Sequence, residues 1–273
     1  MWERGLLDDR LCECGVAFRS CPLWTQVMER LDPAGALTRS ELQRLVAAEH
    51  RLLRTRFAPA ALRGARRPTQ FRDREPDYAD RVSALYAAIR FATDCSVMVD
   101  SSKLGAYGLV LRGDPSLRVA VVHLVRDPRA SAYSWRRLKP LHDANAITHM
   151  RRRSLVRSCA VWTSGNQLVE SLLCRPGTTY VRIRYEDLVA RPEQTLRTLA
   201  RALGHGDVQL PVGPGGLVRL DPGHAVAGNP NRHSAEPVTL RLDDEWQCKM
   251  PRREQRLVRT LTRPVSTRYG YGL

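Results

Sequence analysis

Arg126 and Ser134 pair a guanidinium with a hydroxyl eight residues on, types that can jointly hold an anion. The guanidinium offers a planar fork of donors to an oxyanion or phosphate, and the hydroxyl adds another. A second pair lies in the run Asp100-Ser101-Ser102-Lys103. There the carboxylate can accept a proton from a hydroxyl, and the ammonium can stabilise developing negative charge. The same run also reads as a serine-rich helix cap with a solvated lysine. Cys12, Cys14 and Cys21 form a third group. A structural zinc site takes four ligands, often as C-x₂₋₄-C pairs. C-x-C plus one further cysteine leaves the fourth unnamed, so a thiol-rich loop packed on Trp24 is preferred and no metal is expected. His142 and His149 lack a third ligand and read as substrate contacts or surface.

The elements that must position these groups follow from apolar spacing and breakers. Val119 to Val125 is an apolar run that suits a strand buried on both faces. Pro128 ends it and can open a helix, which continues to Leu138. Arg126 therefore stands at the carboxyl end of a strand, where open α/β sheets place their ligand crevice. Ser96 to Asp100 reads as a short strand and Leu104 to Arg112 as a helix, completing a β-α-β unit with the next strand. Upstream, Thr38 and Glu41 form a capping box before the stripe Leu42, Leu45, Val46, Leu52 and Leu53. Ala58 to Pro76 reads as a loop and Asp77 to Thr93 as a helix. Downstream, Lys139 to Thr148 reads as a covering loop and Met150 to Cys174 as a long helix. Thr178 to Tyr185 is the clearest strand, and Pro192 precedes a helix ending near Gly204.

The chain has 273 residues, enough for one large α/β domain. Its 44 Lys plus Arg against 28 Asp plus Glu give +16, a field that favours anionic ligands generally. Arginine-rich coding bias explains such a composition equally well. No apolar run is long enough to span a bilayer and Met1 opens no signal-peptide pattern, so a soluble, cytoplasmic protein is expected. Seven cysteines, an odd number, agree with thiols in a reducing compartment.

Several stretches, in order, resemble the sulfotransferases that use 3′-phosphoadenosine 5′-phosphosulfate (PAPS). They are HLVRDPRASAYSW from His123 to Trp135, Cys14-Gly15 followed by Cys21-Pro22-Leu23-Trp24, and Tyr185-Glu186-Asp187-Leu188 with Pro192 and Leu203-Gly204. His224 to Arg232 and the closing Arg268-Tyr-Gly-Tyr complete the set. The resemblance implies that Arg126 and Ser134 grip a 3′-phosphate and that Gly228 and Arg232 close over it. Tyr185 becomes a nucleotide contact, against the reading of a half-buried core tyrosine, while Asp100 and Lys103 stand beside the acceptor.

The implied fold is a three-layer α/β, P-loop nucleotide-binding-like fold with a central parallel sheet. Residues 1–273 are expected to form a single domain, mostly helical over 1–94 and a nucleotide-binding core over 95–273. Such relatives begin with a strand, a loop of the kind G-x-x-R-S-G-T and a helix, which cradle the 5′-phosphosulfate. No equivalent occurs here, so that first unit is expected to be missing. The implied reaction transfers a sulfonate from PAPS to a hydroxyl or amine of a small-molecule, glycan or lipid acceptor. It leaves adenosine 3′,5′-bisphosphate and needs no metal. Two other readings stand beside it. One is a truncated or non-catalytic relative that binds adenosine 3′,5′-bisphosphate weakly. The other is a basic nucleic-acid-binding protein, for which no helix-turn-helix, zinc-finger or RNP signature is found.

Overall fold

Helices and a pair of parallel strands carry most of the described chain. The computed structural model describes residues 1–53, 68–102, 104–137, 140–143, 146–149, 152–206, 208–219, 223–226 and 236–272. They divide into two compact units, Met1–Val119 with Asp221–Ala235, and Ala120–Leu220 with Glu236–Leu273.

In the first unit a π-helical turn at Trp2–Leu7 precedes helices α1 (Pro22–Leu31), α2 (Arg39–Leu53), α3 (Pro68–Arg72), α4 (Pro76–Thr93) and α5 (Gly105–Arg112). Helix α2 begins where the capping box places it, with Glu41 donating its backbone N–H to the Thr38 hydroxyl at 3.3 Å. Leu42, Leu45 and Leu52 on α2, Val27 and Leu31 on α1, and Tyr78, Val82 and Leu85 on α4 are buried. Helical spacing thus puts one apolar stripe of each helix into a common core. Arg72 anchors α3 by donating to the Ser83 hydroxyl at 2.9 Å and the Val110 carbonyl at 3.3 Å. The backbone runs so close there that a side chain at Gly113 would meet Arg72 and the Pro68 carbonyl at 2.6 Å.

Ser96 to Asp100, expected as a strand, is irregular. Val97 and Val99 are exposed, and no ladder forms with this segment among the described residues. A strand needs a neighbouring backbone to satisfy its N–H and C=O groups, and apolar composition cannot supply one. The first strand of the β-α-β unit expected around α5 is thus not seen among the described residues.

The second unit is built on β1 (Ala120–Val125), which leads into α6 (Pro128–Arg136). The chain continues through the short strands β2 (Pro140–Asp143) and β3 (Ala146–His149) and the helix α7 (Leu155–Leu173) to β4 (Thr179–Arg184). β1 and β4 pair in parallel, with Ala120 opposite Thr179 and Val125 opposite Arg184. Parallel neighbours require such a crossover. The covering loop expected at Lys139 to Thr148 contains an antiparallel pair, β2 with β3, Pro140 opposite His149. Helix α7 starts later than Met150, because Ser154 caps it by accepting from the Arg157 N–H at 3.3 Å.

β1 departs from the expectation of burial on both faces. His123 and Val125 are buried, whereas Val122 and Leu124 on the alternate face are 42% and 49% exposed. After β4 come α8 (Tyr185–Ala190), α9 (Pro192–Ala202), the antiparallel pair β5 (Leu217–Val218) and β6 (Val238–Thr239), and helices α10 (Trp246–Lys249) and α11 (Arg252–Arg268). Among the described residues two small cores hold the unit. Ala130, Ala132 and Cys159 pack with Trp246, Met250 and Val258 in one. Val125 packs with Val265, Tyr269 and Tyr271 in the other.

Candidate functional site

The strand-to-helix turn after β1 is fixed by three side chains. Trp162 of α7 donates its indole N–H to the Arg126 carbonyl at 2.9 Å. Tyr271 directs its hydroxyl at the Glu186 carboxylate, 2.6 Å away, and at the Val125 carbonyl, 3.0 Å away. The other Glu186 oxygen accepts the Asp127 backbone N–H at 2.9 Å. Burial, aided by the neighbouring Glu186 charge, raises the Tyr271 phenol well above its usual range, so it acts as a neutral donor. Asp127 caps α6, accepting the Arg129 backbone N–H at 2.7 Å, and its carboxylate also pairs with the Arg129 guanidinium at 2.7 Å.

Arg126 leaves this turn with its guanidinium 4.8 Å from the centroid of the Tyr185 ring. Its Nη2 lies 2.9 Å from the Asp243 carboxylate and donates to the Asp243 carbonyl at 3.2 Å. Arg137 donates to the same carboxylate at 3.0 Å. Burial pushes the Asp243 carboxyl up, but hydrogen bonds and charge from Arg126 and Arg137 outweigh it and hold the group below the usual carboxylate range. Arg126 Nε is buried and has no hydrogen-bond partner among the described residues. A buried guanidinium donor left open is costly in a settled core and fits an anionic group arriving from outside. The residues thus suit a phosphate-bearing ligand, by Arg126 first and with the Tyr185 ring beneath it.

Ser134 lies near the end of α6, one turn after the buried Ala130, and is half-buried. A cavity of about 310 Å³ opens beside the turn, walled by Asp127, Arg129, Glu186, Asp243, Asp244 and Trp246 among others. Neither Arg126 nor Ser134 lines it, and its carboxylates favour water or cations over phosphate.

In the first unit, Asp100 has both carboxylate oxygens engaged. One accepts from the buried Tyr86 hydroxyl at 2.5 Å, the other from the Ser102 backbone N–H at 2.7 Å. Desolvation, reinforced by Tyr107 and Asp100, raises the Tyr86 phenol, which therefore stays a proton donor to that carboxylate. Lys103, Gly228 and Arg232 lie outside the described residues.

The structure brings together Arg126 and Tyr185, both identified from sequence. It adds Asp243, Glu186 and Tyr271, which sequence reasoning did not assign to the site. Glu186 and Tyr271 belonged to recognised segments; Asp243 carried no signal beyond an acidic pair before Trp246. The thiols form a second cluster. Cys12, Cys14 and Cys21 meet His224, with all four ligand atoms within 4.8 Å of one another. Trp24 packs with its ring 4.8 Å from that of Phe18. The fourth donor is what the sequence left unnamed. Burial pushes the Cys12 thiol up to about 12.

Parallel strands joined through helices, with an arginine, a capping aspartate and a following tyrosine at the strand ends, define a mixed α/β protein with a basic turn at its sheet edge. The chain belongs to the sulfotransferase family, whose model matches residues 21–207, more than half of the sequence. Neither curated proteins nor solved structures give a match. Among the described residues no helix is long and apolar enough to cross a membrane.

Proposed function

We propose that this protein transfers a sulfonate group from PAPS to a hydroxyl or amine acceptor, and that Arg126 and Ser134 hold the 3′-phosphate of the nucleotide. The observation that carries this is the Arg126 guanidinium at the end of β1, stacked 4.8 Å from Tyr185 with Nε unpartnered among the described residues. A doubly charged ribose phosphate would complete that donor set with charge-assisted hydrogen bonds. Asp243 keeps the fork in place until then. PAPS itself supplies the activated sulfonate.

Asp100 and Lys103 are proposed to stand on the acceptor side, the first as proton acceptor and the second as stabiliser of developing negative charge. Gly228 and Arg232 are proposed to close over the 3′-phosphate. We further propose that residues 1–273 form one sulfotransferase-like domain with a three-layer arrangement around the parallel sheet. In support, the family match runs across the division at Val119, and the Val122–Leu124 face of β1 is open to further packing.

Calorimetric titration with adenosine 3′,5′-bisphosphate tests the reading. Binding should weaken by about 2–4 kcal/mol in Arg126→Ala, the range for truncating one partner of a buried charged pair. Equal binding by both chains removes the clamp. Binding that falls steeply with salt and ignores the 3′-phosphate indicates nucleic acid instead.

A further inference from the structure

We propose that Cys12, Cys14, Cys21 and His224 bind a single zinc ion at a closed, tetrahedral, structural site. Only Cys21 of the four lies within the region matched to the family. The Cys14 and Cys21 sulfurs are 3.6 Å apart, and His224 Nδ1 lies 3.1 Å from the Cys21 sulfur and 3.8 Å from that of Cys12. Tetrahedral zinc with bonds of about 2.3 Å to sulfur and about 2.0–2.1 Å to nitrogen has ligand–ligand edges of roughly 3.6–3.8 Å. The imidazole would ease back from Cys21 by a few tenths of an ångström, and the widest pairs, which reach to within 4.8 Å, would draw in by about 1 Å. All three cysteines are free, and a sulfur pair 3.6 Å apart is far outside bonding distance.

The surroundings are built to hold these donors. Leu11 and Ala17 form an antiparallel bridge, and the Cys12 N–H donates to the Val16 carbonyl at 2.8 Å, making a tight hairpin around Cys14. Gly15 turns it with φ +92°, a conformation other residues rarely adopt. Cys21 occupies the cap position of α1, which fixes where its side chain leaves the backbone. On the opposite segment, Trp24 donates its indole N–H to the His224 carbonyl at 2.8 Å, and the Glu13 N–H donates to the Ala225 carbonyl at 2.9 Å. The Glu13 carboxylate packs against Gly223, where a side chain would strike Oε2 at 2.7 Å. These contacts fix the orientation of the ligand segments, as the outer shell of a metal site does.

Three sulfurs and one imidazole select a borderline-soft ion over magnesium or calcium. Cys12 and Cys21 are 0% exposed, so four protein ligands leave no open position for a substrate or water. The ion would tie a histidine to thiols more than 200 positions away in the chain, the kind of long loop whose closure restricts the unfolded state most. It would also pin the segment that leads into Gly228 and Arg232.

The test uses the full chain, purified reduced and without chelator. Elemental analysis should find a single zinc per chain that survives dialysis. Cobalt exchanged into the same protein should show the intense visible bands of tetrahedral thiolate coordination. Thiol titration of the native protein should find Cys12, Cys14 and Cys21 protected until a strong chelator is added. His224→Ala and Cys21→Ser should each weaken zinc binding at least tenfold, while Cys95→Ser, at an exposed free cysteine, leaves it unchanged. The cobalt spectrum and thiol protection are read on the unsubstituted chain, so they decide the matter even if a variant fails to fold. A chain that takes up neither zinc nor cobalt, a disulfide among the three cysteines, or His224→Ala with an unaltered cobalt spectrum overturns the site. None of these readouts involves the nucleotide.

Discussion

The guanidinium of Arg126 faces the ring of Tyr185 at 4.8 Å, joining the end of one parallel strand to the first residue after its neighbour. A cation over an aromatic face is worth about 0.5–2 kcal/mol, more as water is excluded. Tyr185→Phe keeps that face and should bind adenosine 3′,5′-bisphosphate within about threefold of the unsubstituted chain. Tyr185→Leu removes it and should weaken binding by about 1–2 kcal/mol. Calorimetry on the pair separates ring from hydroxyl. Unchanged binding in Tyr185→Leu would return the residue to a packing role.

Asp127 does two jobs at the same turn, capping α6 and pairing with Arg129, whose guanidinium also lies 4.6 Å from the Trp246 ring. Asp127→Ala removes both interactions and leaves a buried helix end uncapped. The expected loss is about 2 kcal/mol, read as a lower urea midpoint. Asp127→Asn retains a cap acceptor and should lose about half as much. Equal losses would mean that the retained cap acceptor contributes nothing and the charge accounts for the whole effect.

Local pattern made one part of the molecule legible in sequence. Thr38 announced its helix, Pro128 announced the turn after β1, and the branched residues of Thr179–Arg184 announced a strand. Arg126 stood out because it follows a strand, and Tyr185 because its stretch resembles an element of the family. Other features depend on partners distant in the chain. Asp243 reaches Arg126 across 117 positions and His224 reaches Cys21 across 203, separations at which neither residue type carries a local signature. Val97 and Val99 looked like strand residues, but no ladder with that segment forms among the described residues. The β2–β3 pairing was concealed by Pro140 and by a stretch whose composition suited a loop.

Tyr86 and Asp100 provide a test of what this contact contributes to the first unit. The buried hydroxyl donates to it at 2.5 Å, a hydrogen bond to a charged group. Such bonds contribute about 1.5–3 kcal/mol. A double-mutant cycle of Tyr86→Phe and Asp100→Ala should therefore give a coupling of that order in urea denaturation. Asp100→Asn keeps an acceptor for only one of the two donors, the Tyr86 hydroxyl or the Ser102 N–H, and should lose part of that stability. A coupling near zero would show that the contact is incidental to stability.

His123 sets the pH response expected of the second unit. It is buried in β1, with Nε2 2.8 Å from the Asn166 carbonyl oxygen and Nδ1 2.5 Å from the Tyr180 hydroxyl. The amide oxygen can only accept, so Nε2 carries the proton and Nδ1 receives one from Tyr180. Both rings of Tyr180 and Tyr269 stand edge-on at 5.9 Å. Burial lowers the imidazole below its usual range, helped by Arg182 and opposed by Asn166 and Glu170. The unfolded chain then takes up a proton near the ordinary histidine value of about 6.5 while the folded chain resists it. Stability from this group is present above that pH and declines as pH falls toward the lowered folded value. Urea midpoints measured from neutral to mildly acid pH should fall in that window, and His123→Gln should flatten the fall. An equal slope in both chains would assign the acid sensitivity to other groups.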